Sequence, residues 1–261
     1  MILTADIGNT NIILGGFDAD ELKFVSHISA VPAKTSDEYS ILITDVLKLH
    51  GVNKDEVSGA VIASVVPPLT PVIKNSVQFL FNTEPVVVGP GIKSGIGIRC
   101  DAPASVGADL IAASVAVHFL YGSPALVIDI GTATKMTVVD KNGTFIGTSI
   151  VPGVLMGLNA LSDNTAQLPK ISLEKPDKVI AKNTVDCMRS GVIYGNASMI
   201  DGMISRIKEE IGYDLTVYVT GGLASFLLPY CKSKMIYDEN LVLKGLNILY
   251  KKNVADYVYN I

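Results

Sequence analysis

The sequence predicts an α/β protein of two related lobes, each a mixed sheet flanked by helices. Three observations predict it: a repeated Asp-Ile-Gly unit, alternating strand-like and helix-like segments around both copies, and a globular composition. Of 261 residues, 49% are hydrophobic and 18% charged. The apolar runs are short and broken by Gly, Pro, Asn and Asp, which is the pattern of a packed chain rather than a disordered one.

The repeat carries most of the weight. Leu3-Thr4-Ala5-Asp6-Ile7-Gly8-Asn9-Thr10-Asn11 runs into the apolar stretch Ile12-Ile13-Leu14, and Leu126-Val127-Ile128-Asp129-Ile130-Gly131-Thr132-Ala133-Thr134 runs into Met136-Thr137-Val138-Val139. Each copy reads as a buried strand, a turn and a returning strand. A polar hairpin turn follows in both, Asp18-Ala19-Asp20 and Asp140-Lys141-Asn142-Gly143, before third strands near Lys23–Ser26 and Thr144–Ile150. A motif, a turn and a strand in the same order twice point to duplication.

The remaining elements complete each lobe. Ser36–His50 has helical spacing with Ser36 as its cap, Ala60–Val66 reads as a strand, Pro71–Phe81 as a helix and Pro85–Val88 as a strand. Gly89–Gly97 reads as a connector, placing an N-terminal lobe at 1–97 and a C-terminal lobe at 98–261 whose terminal helix is able to pack back on the first. The second lobe opens with a helix at Ser105–Tyr121 and continues after its repeat with helices Val154–Leu161 and Val185–Ile211. A strand, Thr216–Thr220, ends in Gly221-Gly222, and a terminal helix covers Leu241–Lys252.

Composition narrows the function classes. A formal net charge of -4 leaves no basic field for nucleic acid or acidic membrane, so a polyanionic ligand has to be held locally. Cys100, Cys187 and Cys231 are scattered and odd in number, against a disulfide framework or structural zinc. No membrane span and no basic leader at the start are expected, and a cytoplasmic location follows.

An Asp-x-Gly-x-Thr turn suits phosphate for physical reasons. Glycine lets main chain approach closely, N–H groups and the Thr hydroxyl donate to phosphate oxygens, and the carboxylate needs a divalent cation, Mg²⁺, to tolerate a polyphosphate. A single copy is also explained as a tight turn; two copies suggest facing grips on a triphosphate. Thr220-Gly221-Gly222 offers unobstructed main chain for a nucleoside. Asp109, in Val106-Gly107-Ala108-Asp109, is open to two readings, charge complementarity at a helix N-terminus or a base that orients an acceptor hydroxyl.

Over essentially its whole length the chain resembles the type III pantothenate kinases of the sugar kinase, Hsp70 and actin superfamily. The resemblance rests on Asp6-Ile-Gly-Asn-Thr10, Ser64-Val-Val-Pro-Pro68, Gly107-Ala-Asp109, Asp129-Ile-Gly-Thr-Ala133, Pro152-Gly153, Lys182-Asn-Thr184, Thr220-Gly-Gly222 and Gly245-Leu-Asn-Ile-Leu-Tyr250. It implies a duplicated actin-like (ribonuclease H-like) fold and ATP-dependent phosphorylation of the primary hydroxyl of pantothenate by a homodimer. In detail it implies that the run Asp6, Ile7, Gly8, Asn9, Thr10, Asn11, Ile12 and Ile13 borders ATP phosphates with Mg²⁺ at Asp6. Thr132 contacts ATP, as do Gly221 and Gly222, and Asp129 helps hold a monovalent cation, K⁺ or NH4⁺. By the same resemblance Asp109 would be the proton acceptor, and Gly107, Ala108, Asp109, Leu110 and Cys100 would face pantothenate, as would Thr184 across the subunit interface.

Departures from the family pattern concentrate on the acceptor side. Family members carry Tyr where this chain has Cys100, Arg where it has Leu110 and Asn where it has Ala113. Leucine cannot replace the bidentate grip of a guanidinium on a carboxylate. Two alternatives stand beside the kinase reading: a paralogue that phosphorylates another small alcohol, and a non-catalytic nucleotide-binding regulator.

Overall fold

A computed structural model of the chain describes residues 1–258. It contains two compact units: one comprises Met1–Gly122, Gly143–Phe145 and the segment from Asn240, the other Ser123–Asn142 and Ile146–Glu239.

The first unit is built on β1 (Ile2–Ile7), β2 (Asn11–Asp18), β3 (Glu21–Ser29), β4 (Gly59–Ser64) and β5 (Val86–Val87), ordered β3-β2-β1-β4-β5. β1 pairs antiparallel with β2 and parallel with β4, which puts the Asp6 end of β1 beside Ala63 and Ser64. Helices α1 (Ser36–Leu49) and α2 (Leu69–Phe81) cover one face of this sheet, where Leu3, Ala5, Ile7, Ala60 and Ile62 meet Tyr39, Ile43, Leu47, Ile73 and Val77. The alternate residues Val61 and Ala63 point to the opposite face, as strand periodicity requires. There they meet Ala108, Ile111, Ala112 and Val115 of α3 (Ala108–Tyr121) and Leu243, Leu246 and Leu249 of α7 (Leu241–Val258).

The packing of α3 moves the expected boundary. A division at 97/98 assigns α3 to the second lobe, yet α3 lies against α7 and β4. Residues Ala108 to Val117 are all buried, so this helix is apolar on every side and needs cover from both a sheet and a second helix. A glycine-rich connector marks where the chain bends, whereas packing decides which core a helix joins. Also in this unit, β6 (Gly97–Ile98) pairs in parallel with Thr144 and Phe145.

The second unit repeats the plan. Its strands β7 (Ala125–Ile130), β8 (Ala133–Val139), β9 (Thr144–Pro152), β10 (Thr216–Thr220) and β11 (Ile236–Tyr237) lie in the order β9-β8-β7-β10-β11. β7 pairs antiparallel with β8 and parallel with β10, matching β1 with β2 and β4. Its core joins Leu126, Ile128 and Ile130 to Val154 and Leu158 of α4 (Val154–Asp163), to Met188, Ile193 and Ile200 of α5 (Thr184–Ile211), and to Ala224 and Leu227 of α6 (Ala224–Leu227).

Helix starts differ from expectation by a few residues. Thr35, not Ser36, caps α1: its side chain accepts from the Glu38 N–H, while Glu38 accepts from the Thr35 N–H at 2.8 Å, a reciprocal capping box. The α2 helix begins at Leu69, ahead of Pro71, because proline is accommodated in a first turn whose N–H groups have no intrahelical acceptor. A short turn at Pro103–Ser105 precedes α3, so Asp109 is its second residue.

Candidate active site

The candidate residues divide between the two units, and in each a cluster forms around the end of the central strand. In the first, Gly8 N–H donates to Asn11 C=O at 2.9 Å and closes the turn after Asp6. Asn9, Thr10 and Asn11 are exposed on that turn, while Ile7 and Ile12 are fully buried and belong to the core. Of the run Asp6–Ile13, those two isoleucines can meet a ligand only through main chain. Val65 N–H donates to Ile7 C=O at 3.0 Å, and the same Val65 lies 3.6 Å from where a side chain on Gly107 would begin. Ser64-Val65 thus joins the Asp6 turn to the loop that opens α3.

Asp109 follows that loop in the first turn of α3 at 7% exposure, its carboxylate folded back toward Gly107 and accepting from the Leu110 N–H at 2.8 Å. A methyl on Gly107 would come 2.5 Å from Asp109 Oδ1, so a side chain there would displace the carboxylate. Leu110 is 8% exposed and Ala113 3%, so the two helical departures from the family pattern are core-facing. Cys100 is half-buried beside an exposed Arg99.

In the second unit the corresponding turn is closed by Gly131 N–H to Ala133 C=O at 3.2 Å and leaves Thr132 exposed. Pro152-Gly153 supports it: Gly153 N–H donates to Thr132 C=O at 3.1 Å, and a methyl on Gly153 would overlap the carbonyl oxygens of Gly131 and Thr132. Gly221, at φ +101°, brings β10's exit so close that a methyl would lie 2.6 Å from both Asp129 Oδ1 and the Ile130 main chain. Asp129 and Gly221 are thus in close approach, Thr132 stands on the turn that follows Asp129, and Gly222 has open space around it. Thr184 is elsewhere in this unit; it starts α5, capped by Asn183, and lines an open groove with Gly157 and Leu161 of α4.

One charged neighbour escaped the sequence reading. Lys135 Nζ lies 2.7 Å from Asp129 Oδ2. It is the one charged residue in the strand Ala133–Val139, which the sequence shows without showing which residue it faces.

Among the described residues no group of three or more His, Cys, Asp or Glu is placed to hold a metal ion. Mg²⁺ delivered with a polyphosphate uses one or two protein carboxylates and takes its other ligands from water and phosphate. Asp6, next to three exposed polar turn residues, suits that role. Asp129 fits a monovalent cation poorly, because an ammonium already stands against it.

Two sheets that share a five-strand order, each with an acidic glycine turn at the end of its central strand, define the actin-like fold that sugar kinases share. Solved structures agree on the fold: a Baf-family protein from Campylobacter jejuni superposes with a TM-score of 0.61 at 20% identity, covering 97% of this chain and 99% of that one. A chain from Porphyromonas gingivalis, provisionally an N-acetylglucosamine kinase, gives 0.53 at 14% identity, covering 97% and 99%. A family model described as type III pantothenate kinase matches residues 2–206. Type III pantothenate kinases of Agathobacter rectalis and Geobacillus are 42% and 41% identical to the chain, the alignments covering 97% of this chain in both cases and 97% and 98% of theirs. The chain belongs to the type III pantothenate kinase family.

Proposed function

We propose that this protein transfers the terminal phosphoryl group of ATP to the primary hydroxyl of pantothenate, giving 4'-phosphopantothenate, the first step of coenzyme A biosynthesis. The observation that carries the reading is the join between the Asp6 turn and the Gly107–Asp109 loop through Val65. Within one unit, a turn suited to Mg²⁺ and phosphate is tied to a buried carboxylate at the start of a helix.

Phosphoryl transfer asks a protein mainly for positioning and charge neutralisation. Gly8, Asn9, Thr10 and Asn11 would offer N–H groups and side chains to the phosphates, with Mg²⁺ at Asp6 supplying neutralising charge. Thr132 and the open main chain at Gly221-Gly222 would receive the rest of the nucleotide. Asp109 would orient the acceptor hydroxyl and take its proton late. With Leu110 in place of an arginine, the acceptor's carboxylate would look to Lys93 or Arg99. Homodimer formation, with Thr184 near the subunit interface, and a cytoplasmic location belong to the same reading. Among the described residues no helix is long and apolar enough to cross a membrane.

A coupled ADP-release assay with Mg²⁺, ATP and either pantothenate or its uncharged amide tests the proposal. Acceptor-dependent ADP release is expected, and Asp109→Asn should lower turnover roughly 10²-fold or more with ATP affinity retained. Equal loss of both would make Asp109 structural. Release with other small alcohols and not with pantothenate would favour the paralogue reading.

A further inference from the structure

The carboxylate that the family resemblance gives to a monovalent cation already has a cation beside it. Asp129 and Lys135 are directly opposite in the β7–β8 hairpin, so both side chains leave the sheet on the same face. Lys135 Nζ is 2.7 Å from Asp129 Oδ2, with each side chain only 19% exposed. The other oxygen, Oδ1, faces the main chain at Gly221, where even a methyl would come within 2.6 Å. One oxygen is held by an ammonium and the other lies against backbone.

A K⁺ ion brought to Oδ2 would meet the ammonium at contact range, where like charges repel. Pushing Lys135 aside instead would separate a partly buried ion pair, which is costly. Charge and size both favour substitution in the other direction, since a primary ammonium is a compact monovalent cation. A lysine is such an ion on a tether, present at every turnover whatever the surrounding salt.

We infer that Lys135 holds the cation position beside Asp129 as a tethered ammonium, so that phosphoryl transfer by this chain proceeds without added K⁺. The inference rests on the kinase reading above and on Asp129 as the carboxylate beside which a cation is needed. Lys135 is a positioning residue: it fixes the Asp129 carboxylate and supplies its counter-charge.

The test compares full-length wild type, Lys135→Thr and Lys135→Arg in ADP release with Mg²⁺, ATP and pantothenate. The monovalent cation of the buffer is tetramethylammonium, K⁺ or NH4⁺. Wild-type turnover should vary less than about twofold among the three, and Lys135→Arg should be equally insensitive to K⁺. Lys135→Thr should lose about tenfold or more in tetramethylammonium and recover in K⁺ or NH4⁺. A second readout is independent of turnover: by thallium NMR, Lys135→Thr should gain a site for Tl⁺, a K⁺ surrogate, that wild type lacks. Stimulation of wild type by K⁺ as strong as in the threonine variant, or Tl⁺ binding by wild type, would overturn the inference. So would a folded Lys135→Thr protein that gains neither a Tl⁺ site nor a response to K⁺. Should that variant fail to fold, wild type and Lys135→Arg still decide the matter. Inactivity of every protein toward pantothenate in every salt would count against the acceptor, while Tl⁺ binding would still decide the cation position.

Discussion

In the first unit Asp6 stands opposite Ile13, and in the second Asp129 stands opposite Lys135, at the same register position of the same hairpin. Five strands correspond, β3-β2-β1-β4-β5 against β9-β8-β7-β10-β11, while the second sheet carries β6 as a sixth. The turns themselves differ by one residue, 8–11 against 131–133 between the last paired residues. Around Asp6 the cross-strand partner is apolar and the turn side chains Asn9, Thr10 and Asn11 face solvent. Around Asp129 a lysine and the Gly221 main chain enclose the carboxylate. The two copies share a hairpin backbone and differ in the side chain opposite the carboxylate. An acid opposite an aliphatic side chain can serve a divalent ion that arrives with its phosphates. An acid opposite a lysine is largely neutralised before any ligand comes.

The comparison can be broken first at its glycines. Gly153→Ala forces a methyl onto the carbonyls of the second turn, whereas Gly8→Ala in the first meets a single main-chain oxygen at 3.1 Å. The expected costs are about 2–3 kcal/mol for Gly153→Ala and below about 1 kcal/mol for Gly8→Ala, read from denaturant midpoints. Equal costs would mean that the two turns are supported alike and that Pro152-Gly153 is not a strut.

Transplanting the charge sharpens the contrast. Ile13→Lys puts an ammonium opposite Asp6, as Lys135 stands opposite Asp129. It should lower turnover on the order of tenfold to hundredfold at fixed Mg²⁺ and ATP, with part of the loss recovered by raising Mg²⁺. Unchanged Mg²⁺ dependence, with the fold confirmed by circular dichroism, would remove Asp6 from the metal role.

The ion pair itself should contribute a smaller stability effect than Gly153. Asp129→Asn separates a pair whose members are each 19% exposed and should cost about 1–2 kcal/mol, less than a fully buried pair because solvent still reaches it. Pairing this change with Lys135→Met in a double-mutant cycle measures the coupling directly. Additive effects would leave the two turns electrostatically equivalent.

Much of this protein was legible in its sequence. The duplicated Asp-Ile-Gly hairpins, the mixed sheets and most of the helices between them follow from periodicity and turn chemistry, which are local properties. The candidate residues Asp6, Thr132 and Asp109 stood in motifs short enough to be read without a fold. Tertiary structure decided the rest. It assigned α3 to the first unit, because an all-apolar helix goes where a sheet face and α7 together can cover it. It turned Ile7, Ile12, Leu110 and Ala113 inward, since burial depends on neighbours distant in the chain. It also set Lys135 against Asp129, because contact across a strand pair depends on register, and register is fixed by the whole hairpin and the core beneath it.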